Sequence, residues 1–213
     1  GAAIIGSKAD KAQIQTVYGD RTHVSGDYMP MFGTATGVEE GKTPNAELQH
    51  LSSILELNIA SCMPTDVQIT EVKVTAGEAI VGEFVFDFIK GTVTPVEGTS
   101  SNTATLTVKE PATLQNGESA KFYLIVKPFT AKASEGLTIS VNGSEKQISL
   151  NEDLVFAPGK MTSIDYTYYD VTQIQDSLLG KFRIKTMWVY GGTGAEYGGA
   201  GWVDIYNKPW WFD

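Results

Sequence analysis

Alternation of apolar and polar residues with a period of two recurs along most of this chain, and it constrains the fold more than any other feature. A strand turns successive side chains to opposite faces, so a period of two with one apolar phase describes a half-buried strand. Leu51, Ser53, Leu55, Leu57 and Ile59 share one phase, while Ser52, Glu56 and Asn58 take the other. Phe84, Phe86 and Phe88 alternate with Val85 and Asp87. Ala104, Leu106 and Val108 alternate with threonines, and Leu137, Ile139 and Val141 with Thr138 and Ser140. The Thr, Val, Ile, Tyr and Phe of these runs suit a pleated surface packed on one side. Leu55, Leu57, Phe84, Phe86, Leu106, Ile139 and Ile164 are the expected core.

The turns between runs are equally legible. Asn142-Gly143 separates LTISV from SEKQISL, and a two-residue Asn-Gly loop favours a hairpin because both residues tolerate positive φ. Asn142-Gly143-Ser144 also matches a glycosylation sequon, but the turn accounts for the same residues. Asn116-Gly117 and Pro158-Gly159 precede further strands. Between Ile69 and Val72 the apolar phase slips by one residue, which predicts a β-bulge. The pattern predicts about nine or ten strands, the spacing of an all-β sandwich or barrel. One short helical turn is expected at Thr43-Pro44-Asn45-Ala46-Glu47, which resembles a capping sequence.

Residues 1–11 read as an N-terminal segment, 12–169 as the β-sandwich and 170–178 as a connector. Composition then changes. Residues 179–213 hold all four tryptophans, Trp188, Trp202, Trp210 and Trp211. KFRIKTMWVY puts Phe182, Ile184, Trp188 and Tyr190 in one phase and Lys181, Arg183 and Lys185 in the other. The glycine-rich stretch Gly191–Gly201 then leads to GWVDIYNKPWWFD. This predicts a hairpin with a long loop, or part of a second domain, too small to bury its own aromatics. Such a cluster packs on another surface or lines a ligand site, since monomers seldom leave so large an apolar patch open.

Composition removes several functions. Hydrophobic residues make up 42% of the 213, enough for a packed core. The formal charge of -9 argues against nucleic acid, whose phosphates need a basic partner. No apolar run reaches the ~18 residues of a membrane helix. Cys62 is the single cysteine, so no internal disulfide and no cysteine-based zinc site is expected, and the thiol reads as a small core hydrophobe. His23 and His50 have no histidine four residues away. Gly-x-Ser-x-Gly is missing, and Gly191-Gly192-Thr193-Gly194 has no following Lys-Ser/Thr to make a phosphate loop. Glu39-Glu40 and Glu152-Asp153 read as solvated loop charge. The chain therefore carries no catalytic constellation and implies no cofactor or metal. It opens on Gly1-Ala2-Ala3 without a charged and apolar leader, so any signal peptide is expected to have been removed.

Four segments together resemble the fimbrillin family of Bacteroidales: YMPMFGTA (28–35), ELQHLSSILELNIA (47–60), the block from Ile69 to Phe88, and FYLIVKPFTAKASEGLTISVNG with LVFAPGKMTSIDYTY. Leu48-Gln49-His50, Pro128, Gly136-Leu137 and Gly159-Lys160 fall where the family pattern has its landmarks. The resemblance covers roughly residues 12–169 and consists of strand patterns. It implies a transthyretin-like antiparallel sandwich, export as a lipoprotein to the outer membrane, and assembly with other fimbrial subunits by strand exchange. It also implies that a trypsin-like or arginine-specific protease removes the first strand. Arg21 is the residue so placed, in the polar stretch Gly19-Asp20-Arg21-Thr22 after the expected first strand, Ala12–Tyr18. Residues 179–213 depart from the family pattern. A second reading is a glycan-binding surface module using Trp188, Tyr190, Trp202, Trp210 and Trp211, because such rings stack on sugars of host or bacterial surfaces.

Overall fold

The computed structural model describes residues 1–24, 26, 28–43, 45–90 and 92–170, together with the backbone strands 186–189 and 201–204. The chain divides into two compact units, Gly1–Asp170 and Val171–Asp213.

The first unit is an all-β sandwich. Its larger layer is a five-stranded sheet in the order β13 (Ser144–Ile148), β12 (Leu137–Val141), β6 (Val67–Thr75), β9 (Thr103–Leu114) and β2 (Gln13–Val17). The facing layer has β5 (Ser53–Ser61) between β10 (Ser119–Val126) and β15 (Met161–Tyr168). Ile69, Val72, Val74, Leu106 and Ile139 of the large sheet are fully buried, as are Leu55, Leu57, Phe122 and Leu124 of the facing one. All seven residues expected in the core are buried. Most pairings are antiparallel, but β2 runs parallel to β9 and β15 parallel to β5.

A third sheet, β1 (Ala2–Ile5), β7 (Val81–Asp87) and β8 (Thr92–Ser101), covers the other face of the three-stranded layer. Register explains how. Opposite Leu55 and Leu57 stand Leu124 and Phe122, whereas Ile125 faces Ile54 and Tyr123 faces Glu56 on the reverse side. That reverse side forms a second cluster in which Ile5, Val24, Phe84, Phe86, Tyr123 and Ile125 are buried together. β10 is thus covered on both faces, which is why Phe122–Val126 is an unbroken apolar run.

The smaller elements are a hairpin of β3 (Met31–Thr36) and β4 (Asn45–His50) and a pair formed by β11 (Phe129–Ala131) and β14 (Leu154–Phe156). The helical turn expected at 43–47 is absent: Glu47 lies in a strand opposite Thr34, because a long-range ladder partner outweighs the local capping pattern. Residues 1–170 carry fifteen strands among the described residues rather than nine or ten. The first is β1, inside the segment set apart as 1–11, and not the strand expected at 12–18. Cys62 is exposed instead of packed, since Ser61 and Met63 take the inward phase on either side of it.

The phase slip in β6 and the Asn142-Gly143 turn prove to be one device. The β6–β9 ladder shifts between Ile69 and Glu71, and the surplus chain lies on the partner strand β9, between Thr107 and Ala112. The freed amides of Thr70 and Glu71 donate to Asn142 Oδ1 at 2.9 and 3.2 Å. Asn142 stands in the turn at φ 50° with Gly143 at 86°, as a hairpin of this type requires.

In the second unit β16 (Thr186–Val189) pairs antiparallel with β17 (Gly201–Asp204).

Candidate assembly site

The first twenty-odd residues run along sheet edges. β1 closes the edge of β7, in register from Ala2 opposite Val85 to Ile5 opposite Gly82. The chain then turns at Gly6, whose φ is +73°; a Cβ there would lie 2.3 Å from the Ile125 carbonyl oxygen, so no larger residue fits. β2 follows on the edge of β9, from Gln13 opposite Leu106 to Val17 opposite Glu110.

β2 also reaches the other layer. Gln13 and Gln15 are buried polar residues on a strand whose alternate positions are exposed. Their side-chain amides bond the outer edge of β10, the edge not used by β5. Ile125 N donates to Gln13 Oε1 at 2.7 Å, and Gln13 Nε2 donates to Ile125 O at 2.8 Å. Tyr123 N donates to Gln15 Oε1 at 3.0 Å, and Gln15 Nε2 donates to Lys121 O at 3.2 Å. Gly19 N adds a bond of 2.8 Å to Lys121 O, and His23 Nε2 lies 2.9 Å from Tyr123 O. A carboxamide offers the same donor and acceptor as a peptide group, so these side chains do what a neighbouring strand would do. A buried edge left without them would carry unsatisfied main-chain groups.

Arg21 follows this stretch directly. It is exposed, and its guanidinium lies 5.8 Å from the centroid of the Tyr123 ring, the distance of a weak cation–π contact. Its backbone is held: Asp20 Oδ1 accepts from Thr22 N at 3.0 Å, and Arg21 O accepts from Val24 N at 3.0 Å to close the single 3-10 turn Thr22–Val24. The hydrogen bonds from Thr22 hold the Asp20 carboxyl below its ordinary pKa. A protease that needs an extended substrate must first open this turn.

Beside Tyr123 on the same face lies Glu56, which accepts from Lys121 Nζ at 3.1 Å and Ser163 Oγ at 2.9 Å. Burial works to raise its pKa, but the bonds from Lys121 and Ser163 outweigh it and leave the carboxyl below the ordinary value. Tyr123 is shifted upward by burial and then by the Glu56 charge. Glu56 Oε1 thus ties Lys121 of β10 to Ser163 of β15 across β5, a structural network.

Of the aromatic residues singled out in the second unit, Trp188 and Trp202 are register partners across β16 and β17. Tyr190, Trp210 and Trp211 lie outside the described residues. Among the described residues no three His, Cys, Asp or Glu side chains are grouped as a metal site would need. No helix among them is long and apolar enough to cross a membrane. The glutamine contacts to β10 were missed from sequence. The only signal was two glutamines in the inward phase of a short strand, QIQTV.

No family model matches this chain, and no curated protein matches it. Among solved structures it is similar to a candidate cell adhesion protein from Bacteroides fragilis, at 16% identity and a TM-score of 0.35, over 56% of this chain and 42% of the other. A second, from Bacteroides thetaiotaomicron, is 20% identical with a TM-score of 0.34, over 66% and 57% of the two chains. A third, from Bacteroides uniformis, is 18% identical with a TM-score of 0.34, over 57% and 48%. The chain spans about half the length of these proteins.

Proposed function

We propose that this chain is a structural or adhesive subunit of a cell-surface fimbria, carried to the outer membrane as a lipoprotein precursor, that assembles with other subunits by strand exchange after cleavage at Arg21. One observation carries the reading: everything upstream of Arg21 that is ordered into strands lies on a sheet edge. β1 occupies the β7 edge, β2 the β9 edge, and Gln13 and Gln15 the β10 edge. Losing residues 1–21 opens all three edges at once and empties the slot of Ile5, which is fully buried. Unpaired edges beside vacant apolar slots recruit an incoming strand, because main-chain bonds and buried side chains are both regained. Residues 179–213 are the part of the chain proposed to dock on a neighbour.

The test is treatment of the full chain carrying Arg183→Lys, which keeps residues 179–213 intact, and of the same chain with Arg21→Gln added, with an arginine-specific protease, followed by mass spectrometry and light scattering after size exclusion. The chain with Arg21 should lose residues 1–21 and grow into oligomers, and the one with Arg21→Gln should stay uncut and monomeric. Cleavage at Arg21 without growth refutes the reading.

The alternative, a glycan-binding surface module, rests on the cross-strand register of Trp188 with Trp202, which places two indole-bearing positions side by side. A glycan array with wild type and Trp188→Ala/Trp202→Ala decides it: binding lost in the double variant supports a sugar site, and no binding by wild type removes it.

A further inference from the structure

A cavity of about 420 Å³ lies where residues 6–14 meet the segment that carries His23 and Tyr28. Main-chain bonds fix its wall: Gly6 N donates to Tyr28 O at 3.0 Å, and Lys11 N to Lys8 O at 3.0 Å. One liquid water takes up about 30 Å³, so the space is far larger than a bridging water needs. It falls in the range usual for small-molecule sites, ~300–1,000 Å³.

The polar groups of the wall are not all spoken for. Gln13 is satisfied, because both its oxygen and its nitrogen bond Ile125. Ser7 Oγ and His23 Nδ1 have no hydrogen-bond partner among the described residues. Only four buried side-chain atoms among those residues share that condition, so half of them belong to the wall of this one cavity. Leaving a buried polar group unpaired is costly, and a ligand that pairs it recovers the cost. The chemistry each atom asks for is also defined. His23 Nε2 lies 2.9 Å from the Tyr123 carbonyl, which only accepts, so Nε2 carries the hydrogen and Nδ1 of the neutral ring is a bare acceptor. The Ser7 hydroxyl both donates and accepts and turns about a single bond. Lys8 and Lys11 bring positive charge to the same wall. Lys11 Nζ is held by Asp10 at 3.0 Å, whereas Lys8 makes no salt bridge among the described residues. Ile14, Ile125 and the Tyr28 ring complete the lining with apolar surface.

We propose that this cavity binds a hydroxylated carboxylate of monosaccharide size, the chemistry of a uronic acid. One ligand hydroxyl donates to His23 Nδ1, a second pairs with Ser7 Oγ, and the carboxylate meets Lys8. The C–H face of the sugar ring lies against Ile14, Ile125 and Tyr28. Other ligand classes each fail one of these groups. Sulfate brings only acceptors to an Nδ1 that needs a donor. A neutral sugar leaves Lys8 unused, and a simple fatty acid leaves Ser7 and Nδ1 unpaired. The site stands apart from the assembly reading, since the uncut chain forms it, with Ser7, Lys8 and Ile14 upstream of Arg21 and His23 and Tyr28 downstream. It shares no residue with the Trp188–Trp202 pair of the second unit.

The experiment titrates sodium glucuronate into the isotope-labelled, uncut full chain at neutral pH and constant ionic strength, followed by amide chemical shifts. Glucose, acetate and sulfate serve as comparison solutes. Shifts with glucuronate should saturate and centre on Ser7, Lys8, His23 and Ile125, and each comparison solute should bind at least about tenfold more weakly. Ser7→Ala and Lys8→Gln should each weaken glucuronate binding about tenfold. Ser7→Ala removes a hydroxyl that has no partner, so its melting temperature should be no lower than that of wild type, which separates a lost ligand contact from a damaged fold. Lys8 is exposed, so Lys8→Gln tests the site without touching the core. Absence of a saturable shift with glucuronate overturns the site. Glucose, acetate or sulfate binding as tightly as glucuronate overturns the ligand class. Unchanged glucuronate affinity in either variant overturns the placement of the ligand.

Discussion

Asn142 is the residue whose replacement tests most sharply how the large sheet is held together. Its side chain accepts from Thr70 N, Thr70 Oγ1 and Glu71 N and donates to Gln68 O, all at the place where the β6–β9 ladder slips. Its backbone sits at φ 50°, which costs a residue such as alanine about 1–2 kcal/mol. A net contribution of about 0.5 kcal/mol per bond, the low end for groups that water can reach, gives ~2 kcal/mol for the side chain. Asn142→Gly removes the bonds and keeps the backbone accessible, so it should cost about 2 kcal/mol. Asn142→Ala removes the bonds and strains the turn, so it should cost about 3–4 kcal/mol. Asn142→Asp retains the three acceptor contacts and loses the donor, so it should cost least. Urea unfolding followed by far-ultraviolet circular dichroism measures all three. Tryptophan fluorescence does not suit, because every tryptophan lies in residues 188–211 and reports on the other unit. A glycine variant as stable as wild type would refute the bridging role of the side chain, and equal values for glycine and alanine would refute the backbone contribution.

Three further outcomes follow from the same structure. Phe86→Ala empties a buried site beside Phe84 and Ile125 and should cost about 3–5 kcal/mol in the same assay; a melting curve like that of wild type would place the wrong face inside. Glu56 has a folded pKa below its unfolded one, so its stabilisation is present above the unfolded value and lost as pH falls through the folded one. Wild type should therefore lose more stability than Glu56→Gln between neutral pH and acid, and parallel pH profiles would contradict the pairing with Lys121 and Ser163. Deleting residues 179–213 should leave a folded first unit that no longer self-associates after processing; a truncated chain that assembles normally removes that segment from the interface.

Much of the sandwich was legible because burial on one face writes itself into alternate residues. The strands around Leu55, Phe84, Leu106 and Ile139 have core positions spaced by two, and the Asn142-Gly143 turn carries its own conformational signature. The strands that escaped notice lack that imprint. β3 and β4 are exposed along nearly their whole length, so neither face selects for apolar residues, and β1 has only four residues, all apolar. Pairing direction was also hidden, since β5 and β15 are separated by most of the domain and a parallel ladder leaves no local mark. The Gln13 and Gln15 bridge was hidden for a related reason. A glutamine that satisfies a distant main-chain edge looks, in sequence, like any polar residue in a strand. Arg21 was singled out from the family resemblance and the polar loop around it, whereas the turn that restrains its backbone, with Thr22 N donating to Asp20 and Val24 N to Arg21 O, leaves no mark in the sequence.

The central claim is that the place vacated by residues 1–21 is taken by a neighbouring copy, and competition measures it most directly. Processed chain is allowed to assemble in the presence of rising amounts of a synthetic peptide of residues 1–21, with oligomer size read by sedimentation velocity. The peptide fits the same edges by construction, so it should restore the monomer in proportion to its occupancy, and the same peptide carrying Gln13→Ala and Gln15→Ala should compete at least tenfold less well. Assembly that proceeds unchanged at saturating peptide would contradict the account.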